Sequence, residues 1–323
     1  MSKDTATGNE RFNVVHGEGN PSALLCSASY AGCQPLASNL PDAISRVEAV
    51  PSPPDVPAPR VADVIALQKS TAFRINMETR TRVEPTVEFK ADVDAISLDP
   101  NGISAVVIAG DEFAKIELPK FQSIRHAVAL GVGRVNSLCP APAFPINLQQ
   151  FEQDYKYYFG GATGAGYIQI PEAGSPITGV LPEYAGRRSS VACGAGRVYI
   201  ASGNSIGVHD SFTGEKITSY DAPMVQDCMV TQDGKDLYCT KEEGEGTRVV
   251  GWNQGNIIAS RLLNGRFVSM NQTVTSSRFT FVTRSGETDK IFDCNPSLAC
   301  NEFAPDPRLS RTLRIQMLPI NFP

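Results

Sequence analysis

The chain has 323 residues, a net charge of −5, 41% hydrophobic residues and 20% charged ones. That length allows one large domain or two smaller ones, at roughly 100–200 residues per domain, with a real core. The modest negative charge argues against a general nucleic-acid-binding surface, and no run of about 18 apolar residues offers a membrane span.

The N-terminus, MSKDTATGNERFN, is polar and lacks the apolar centre of a secretory leader. The expectation is a protein made and kept in the cytosol, or released from it by lysis. Pro51, Pro53, Pro54, Pro57 and Pro59 follow within ten residues. Proline fixes φ and removes a backbone donor. Residues 1–60 therefore read as an extended arm whose apolar groups are too few for a core of their own, and which contacts other chains. Residues 61–69 read as a short helix.

From Thr71 onward the pattern is strands. Phe73, Ile75 and Met77 alternate; then comes a hairpin, VDAISLD and ISAVVIAG about Pro100-Asn101-Gly102, followed by FAKIELP. HAVALGVGRVNSL resembles SSVACGAGRVYIA and reads as the early strands of the next unit. An insertion from Cys139 to Asp154 follows, then YKYYFGG and YIQIPEAG. Insertions in repeat folds map to loops, so the 139–154 loop is a second candidate partner contact. Similar units cover 189–220, 225–260 and 266–294. Gly174 and Ile177, Gly214 and Ile217, and Gly255 and Ile258 recur at a nearly constant step, as a radial β-repeat requires.

These units predict an all-β chain. Residues 61–323 read as a β-propeller-like ring of four-stranded blades, five recognisable between about 92 and 300 and five to seven in all. The tail RTLRIQMLPINF alternates at Leu313, Ile315 and Met317, as a strand closing the ring would.

The run GRVYIASGNSIGVHDSFTGEKI, Gly196 to Ile217, resembles repeat units of the PQQ-like and YVTN-type propeller superfamily. TQDGKDLYC, Thr231 to Cys239, resembles their Asp-Gly hairpin. The likeness covers about two-thirds of the chain. Trp252 is the single tryptophan, so the blade tryptophans of PQQ enzymes and the Trp-Asp of WD40 repeats are missing.

Eight cysteines form no C-x-x-C pair, against zinc-ribbon and thioredoxin readings. In reducing cytosol the expectation is free, partly buried thiols. The close pairs Cys26 with Cys33, Cys294 with Cys300, and Cys228 with Cys239 are where bonding is conceivable. A turn at Asp233-Gly234 places the last two opposite one another across a hairpin, with Cβ atoms about 4.5–5.5 Å apart; a disulfide needs roughly 3.5–4.5 Å.

His16, His126 and His209 share no metal-ligand spacing, and no G-x-S-x-G is present. GGATGAG, Gly160 to Gly166, lacks the Gly-Lys-Ser/Thr ending of a phosphate loop and reads as a turn. Asp99-Pro100-Asn101-Gly102 and Asp233-Gly234-Lys235-Asp236 lack calcium-loop spacing. Arg187, Arg188, Arg308, Arg311 and Arg314 are scattered. The sequence thus assigns no catalytic, cofactor-binding or metal-binding residue. The reading is a non-enzymatic structural component of a large assembly, foremost a virion, made in host cytoplasm and anchored by its arm. The alternatives are a cytosolic scaffold or adaptor, and a small-molecule propeller enzyme.

Overall fold

A computed structural model describes residues 12–27, 29–30, 32–51, 61–99, 104–118, 120–127, 129–142, 155–171, 175–231, 234–272 and 278–318. Seven four-stranded antiparallel sheets form the blades of a ring. Blade 1 takes three strands from the chain start: β1 (Phe12–Gly19), β2 (Ala23–Ser27) and β3 (Gln34–Pro35). Blade 2 holds β4 (Arg46–Pro51), β5 (Val61–Gln68), β6 (Thr71–Asn76) and β7 (Thr81–Glu88). Blade 3 holds β8 (Ala95–Leu98), β9 (Ser104–Ala109), β10 (Glu112–Glu117) and β11 (Gln122–Ala127). Blade 4 holds β12 (Val135–Pro142), β13 (Tyr155–Gly161), β14 (Gly164–Ile170) and β15 (Ile177–Val180). Blade 5 holds β16 (Ser189–Gly194), β17 (Arg197–Ser202), β18 (Ser205–Asp210) and β19 (Lys216–Asp221). Blade 6 holds β20 (Cys228–Val230), β21 (Asp236–Glu243), β22 (Gly246–Asn253) and β23 (Asn256–Asn264). Blade 7 holds β24 (Arg266–Gln272), β25 (Phe279–Ser285), β26 (Thr288–Cys294) and β27 (Cys300–Phe303). The last strand, β28 (Leu309–Leu318), pairs with β1 and becomes the innermost strand of blade 1.

The innermost strands touch in a closed circle, β28 to β4, β8, β12, β16, β20, β24 and back to β28. The core is divided accordingly into seven apolar clusters, each at a junction between adjacent blades. Successive residues of one strand serve opposite junctions. Ile65 and Leu67 of β5 face blade 3, while Val64 and Ala66 face blade 1. Val198 and Ile200 of β17 face blade 4, while Tyr199 and Ala201 face blade 6. Strands covered on both faces read as continuous apolar runs, such as SAVVIA in β9. Val198, Ile200, Val230, Leu237, Phe279 and Phe281 are all buried.

The Gly-x-x-Ile repeat has a turn at its origin. Gly214 and Gly255 have φ of +79° and +86°, which glycine adopts without a Cβ clash, and each leads into the outermost strand of its blade. Ile177, Ile217 and Ile258 lie in β15, β19 and β23, the outermost strands of three consecutive blades; Ile217 and Ile258 each fall at a register shift, whereas Ile177 pairs with Gln169. Gly174, Asn101, Gly102 and Asp233 lie outside the described residues.

Three sequence expectations are corrected. Residues 1–60 are not an arm: among those described, β1 to β3 build blade 1 and β4 is the innermost strand of blade 2. Val14, Val15, Leu24, Leu25 and Val47 are buried in the ring's own junctions. Their few apolar groups suffice because blades 2 and 7 supply the opposing surface. Residues 61–68 are strand β5, since a run apolar on both faces suits a position between two sheets and not a short helix. The repeat phase also slips in blade 4: HAVA contributes to the end of β11, and VNSLCPAP is the first strand, β12. Of the 139–154 segment, residues 139–142 belong to β12 and 143–154 lie outside the described residues.

Candidate functional site at the channel mouth and outer rim

The innermost strands present their free edges to a central channel. Where these strands begin, the channel opens into a cavity of about 350 Å³. Its wall takes Arg46 from β4, Asn136 from β12, Ser190 from β16, Ser269 from β24 and Arg314 from β28, with Asp227 just ahead of β20. This is the small end of the roughly 300–1,000 Å³ typical of ligand pockets.

The Arg46 Nε donates to Glu48 Oε1 at 3.2 Å. Arg314 keeps some exposed surface, but its Nε is covered and has no hydrogen-bond partner. Burial and the nearby Arg46 charge push the Arg314 guanidinium down to about 10, opposed by Glu48 and Asp227. Ser190 Oγ and Ser269 Oγ are also buried without partners. Each such group costs roughly 1–3 kcal/mol while it stays unpaired. His16 sits directly across the β1–β28 ladder from Arg314. Its Nδ1–H donates to the Ile44 carbonyl at 3.2 Å, and burial lowers its pKa to about 3.

The other histidines are tied elsewhere. His209 donates from Nδ1 to the Gly214 carbonyl at 3.0 Å and accepts at Nε2 from the Tyr184 hydroxyl at 2.6 Å. His126 stacks on Phe113, with ring centroids 5.1 Å apart. Gly160 to Gly166 form the end of β13, a tight turn at Ala162-Thr163 and the start of β14. Among the described residues no group of three or more His, Cys, Asp or Glu could hold a metal ion.

All eight cysteines are paired, which corrects the free-thiol expectation. Cys228 and Cys239 face each other across β20 and β21, with Cα atoms 4.1 Å apart. Cys26 bonds Cys33, and Cys294 bonds Cys300 across β26 and β27. The fourth pair, Cys139 with Cys193, joins β12 to β16 across the blade 4–5 junction beside the cavity. It escaped the sequence reading because of the slipped phase. With Asn136-Ser137-Leu138-Cys139 set against Ser190-Val191-Ala192-Cys193, the two cysteines occupy equivalent positions.

The outer rim is unequal. Ile124, Ile177, Val180, Ile217, Ile257, Ile258 and Leu262 are exposed, and all lie on β11, β15, β19 and β23, the outermost strands of four adjacent blades. Ile257 is 67% exposed, and Ile177 and Ile217 are each 52% exposed. Phe212 and Met224, which flank β19, are exposed as well. The outermost strands of blades 1, 2 and 7 contribute none of the exposed large apolar side chains found among the described residues.

No family model matches the sequence, and no curated relative matches it. Solved structures do match in fold. A functionally unknown protein from Desulfotomaculum acetoxidans DSM 771 superposes with a TM-score of 0.69 at 12% identity, over 96% of this chain and 99% of that one. The chain is a seven-bladed β-propeller. A proposed 6-phosphogluconolactonase from Bacteroides fragilis NCTC 9343 matches with a TM-score of 0.62 at 12% identity, over 98% and 100% of the two chains. The dihydro-heme d1 dehydrogenase NirN matches with a TM-score of 0.60 at 12% identity, over 95% of this chain and 65% of its own. The expectation that the chain is not an enzyme is corrected on this finding: propellers of this form include proteins named for catalysis. At 12% identity the likeness is one of fold.

Proposed function

We propose that this propeller is a component of a larger protein assembly and docks onto a neighbouring protein chain through the rim of blades 3 to 6. The observation that carries the reading is the set of exposed apolar side chains on β11, β15, β19 and β23, the outermost strands of four adjacent blades. Scattered exposed apolar residues are ordinary, but their confinement to the outermost strands of four adjacent blades supports a contact face on that side of the ring. These strands also end their sheets, so each offers a row of unpaired backbone groups beside its apolar residues. The partner is therefore a protein surface with apolar side chains and a strand edge of its own. Four disulfides suit an assembly that works in oxidising surroundings. A virus particle meets that condition once released.

The test pairs fold with assembly. The triple variant Ile177→Ser, Ile217→Ser, Ile257→Ser should melt like the parent chain, because all three side chains are exposed. In sedimentation of the native source the parent chain should travel with a high-mass particle, and the variant should sediment alone. A parent chain found only as a species of its own 34.7 kDa mass, or a variant incorporated as well as the parent, removes this reading.

A further inference from the structure

β23 is the outermost strand of blade 6, and among the described residues no strand pairs with its outer edge. A free edge is a template for another strand, and proteins blunt it by shortness, proline or charge. The other outer strands are blunted in these ways. β3, β15 and β27 have only two, four and four residues. β7 carries Pro85 with Arg82, Glu84 and Glu88, β11 carries Arg125, and β19 carries Lys216 and Asp221. β23 is the longest at nine residues, has no proline and holds one charge, Arg261. That charge is held toward blade 7, where its Nη1 donates to the Leu298 carbonyl at 3.0 Å. The sequence of this edge also suits a copy of itself. Ser260 is the central residue, flanked by the apolar pairs Ile257-Ile258 and Leu262-Leu263, with asparagine at both ends. The ladder to β22 fixes the faces. Ile257, Ser260 and Leu262 oppose Trp252, Val250 and Arg248 on one face. Ala259, Arg261 and Leu263 oppose Gly251, Val249 and Thr247 on the other, and Ile258 is passed over at the register shift. Ile257, Ser260 and Leu262 are all exposed.

We propose that β23 pairs antiparallel with β23 of a second copy of this chain, about a two-fold axis at Ser260, and joins the two blades 6 into one eight-stranded sheet. The two Ser260 residues then face each other, and Ala259 of each copy meets Arg261 of the other. Beyond the register shift, Leu262 meets Ile257 on the same face as Ser260. The axis gathers four exposed apolar side chains beside the seam and sets the one charge of each strand opposite an alanine. A parallel pairing in register would put Arg261 against Arg261, which is unfavourable. A symmetric dimer needs one self-complementary patch, and this edge is such a patch. Nine residues from each copy make a small contact, near or below the roughly 1,200 Å² lower end for stable complexes. The dimer is therefore expected at roughly micromolar affinity. The proposal rests on the rim being a contact face and names the occupant of its blade 6 part.

Analytical ultracentrifugation of the purified, oxidised chain, free of other proteins, tests the proposal. The parent should move from the 34.7 kDa of one chain toward twice that mass as its concentration rises through the micromolar range. Ile257→Lys with Leu262→Lys sets like charges opposite each other across the seam. Both side chains are exposed, so the fold should persist while the dimer weakens by about tenfold or more. Ser260→Cys adds a single free thiol, since the native cysteines are all paired, and a short bifunctional thiol cross-linker should join two copies there. Thr218→Cys, exposed on β19 of the neighbouring blade, should not be joined. A parent that stays monomeric to about 0.1 mM, a folded lysine variant that dimerises as well as the parent, or equal cross-linking at both positions overturns the proposal. A parent monomeric alone but carried by a high-mass particle from the native source overturns self-pairing and leaves the rim to a different protein. A parent that dimerises through Ser260 but joins no particle upholds self-pairing and removes the larger assembly.

Discussion

Cys139 and Cys193 are bonded across the junction of blades 4 and 5, with Cα atoms 5.7 Å apart and a separation of 54 in sequence. Each of the other three disulfides stays within a single blade and closes a far shorter loop, with separations of 7, 11 and 6 residues. On the chain-entropy account the long loop is worth about 4 kcal/mol and the short ones about 2–3 kcal/mol each. The double variant Cys139→Ser, Cys193→Ser should therefore lose more stability in denaturant than Cys294→Ser, Cys300→Ser. Equal losses would show that bridging two blades adds nothing to closing a hairpin.

Removal of residues 1–51 should abolish cooperative folding. It deletes β1 to β3, leaves β28 without its ladder and strips the innermost strand from blade 2. Calorimetry of the truncated chain is the check. A sharp transition near that of the intact chain would restore an appended, dispensable N-terminal segment.

The propeller repeats of β8 to β27 are legible because strands covered on both faces announce themselves as apolar runs between turn residues. Blade 1 is not legible in the same way. Its parts come from opposite ends of the chain, and β1 buries Asn13 and His16 among its apolar residues. The prolines after Pro51 say little about the strands on either side of them. The cavity was hidden for a related reason: Arg46, Ser190, Ser269 and Arg314 belong to four different blades, and only ring closure brings them together. Periodicity locates strands, but not which polar residues end at the axis.

His16 should make the protein acid-sensitive. It is fully buried, and its pKa falls from 6.5 to about 3 on folding. The unfolded chain takes up a proton on this residue below about pH 6.5 while the folded chain stays neutral until about pH 3. Stability from this group is thus intact above 6.5 and lost as pH falls between these values, at up to about 1.4 kcal/mol per pH unit. Comparing chemical unfolding of the parent chain and His16→Gln across pH 4 to 7 isolates the effect. Parallel pH profiles would mean that the imidazole stays protonated in the fold.

Two apolar positions should behave oppositely. Phe281 is wholly buried at the blade 6–7 junction, so Phe281→Ala should cost about 3–5 kcal/mol. Ile217, the repeat isoleucine, is exposed on β19, and Ile217→Ser should fall within about 0.5 kcal/mol of the parent. Thermal or denaturant melts of both variants settle the contrast. A large loss at Ile217 would place it in a core.

Phe12 and Leu318 are register partners on neighbouring strands, so the described chain finishes beside where it starts. The ring is, in effect, a circle cut once and held shut by hydrogen bonds in place of a peptide bond. Where the cut falls is then a matter of encoding and not of architecture. A gene that joined the two ends through a short linker, and opened the polypeptide in the connection between β19 and β20, would specify the same seven blades in a rotated order.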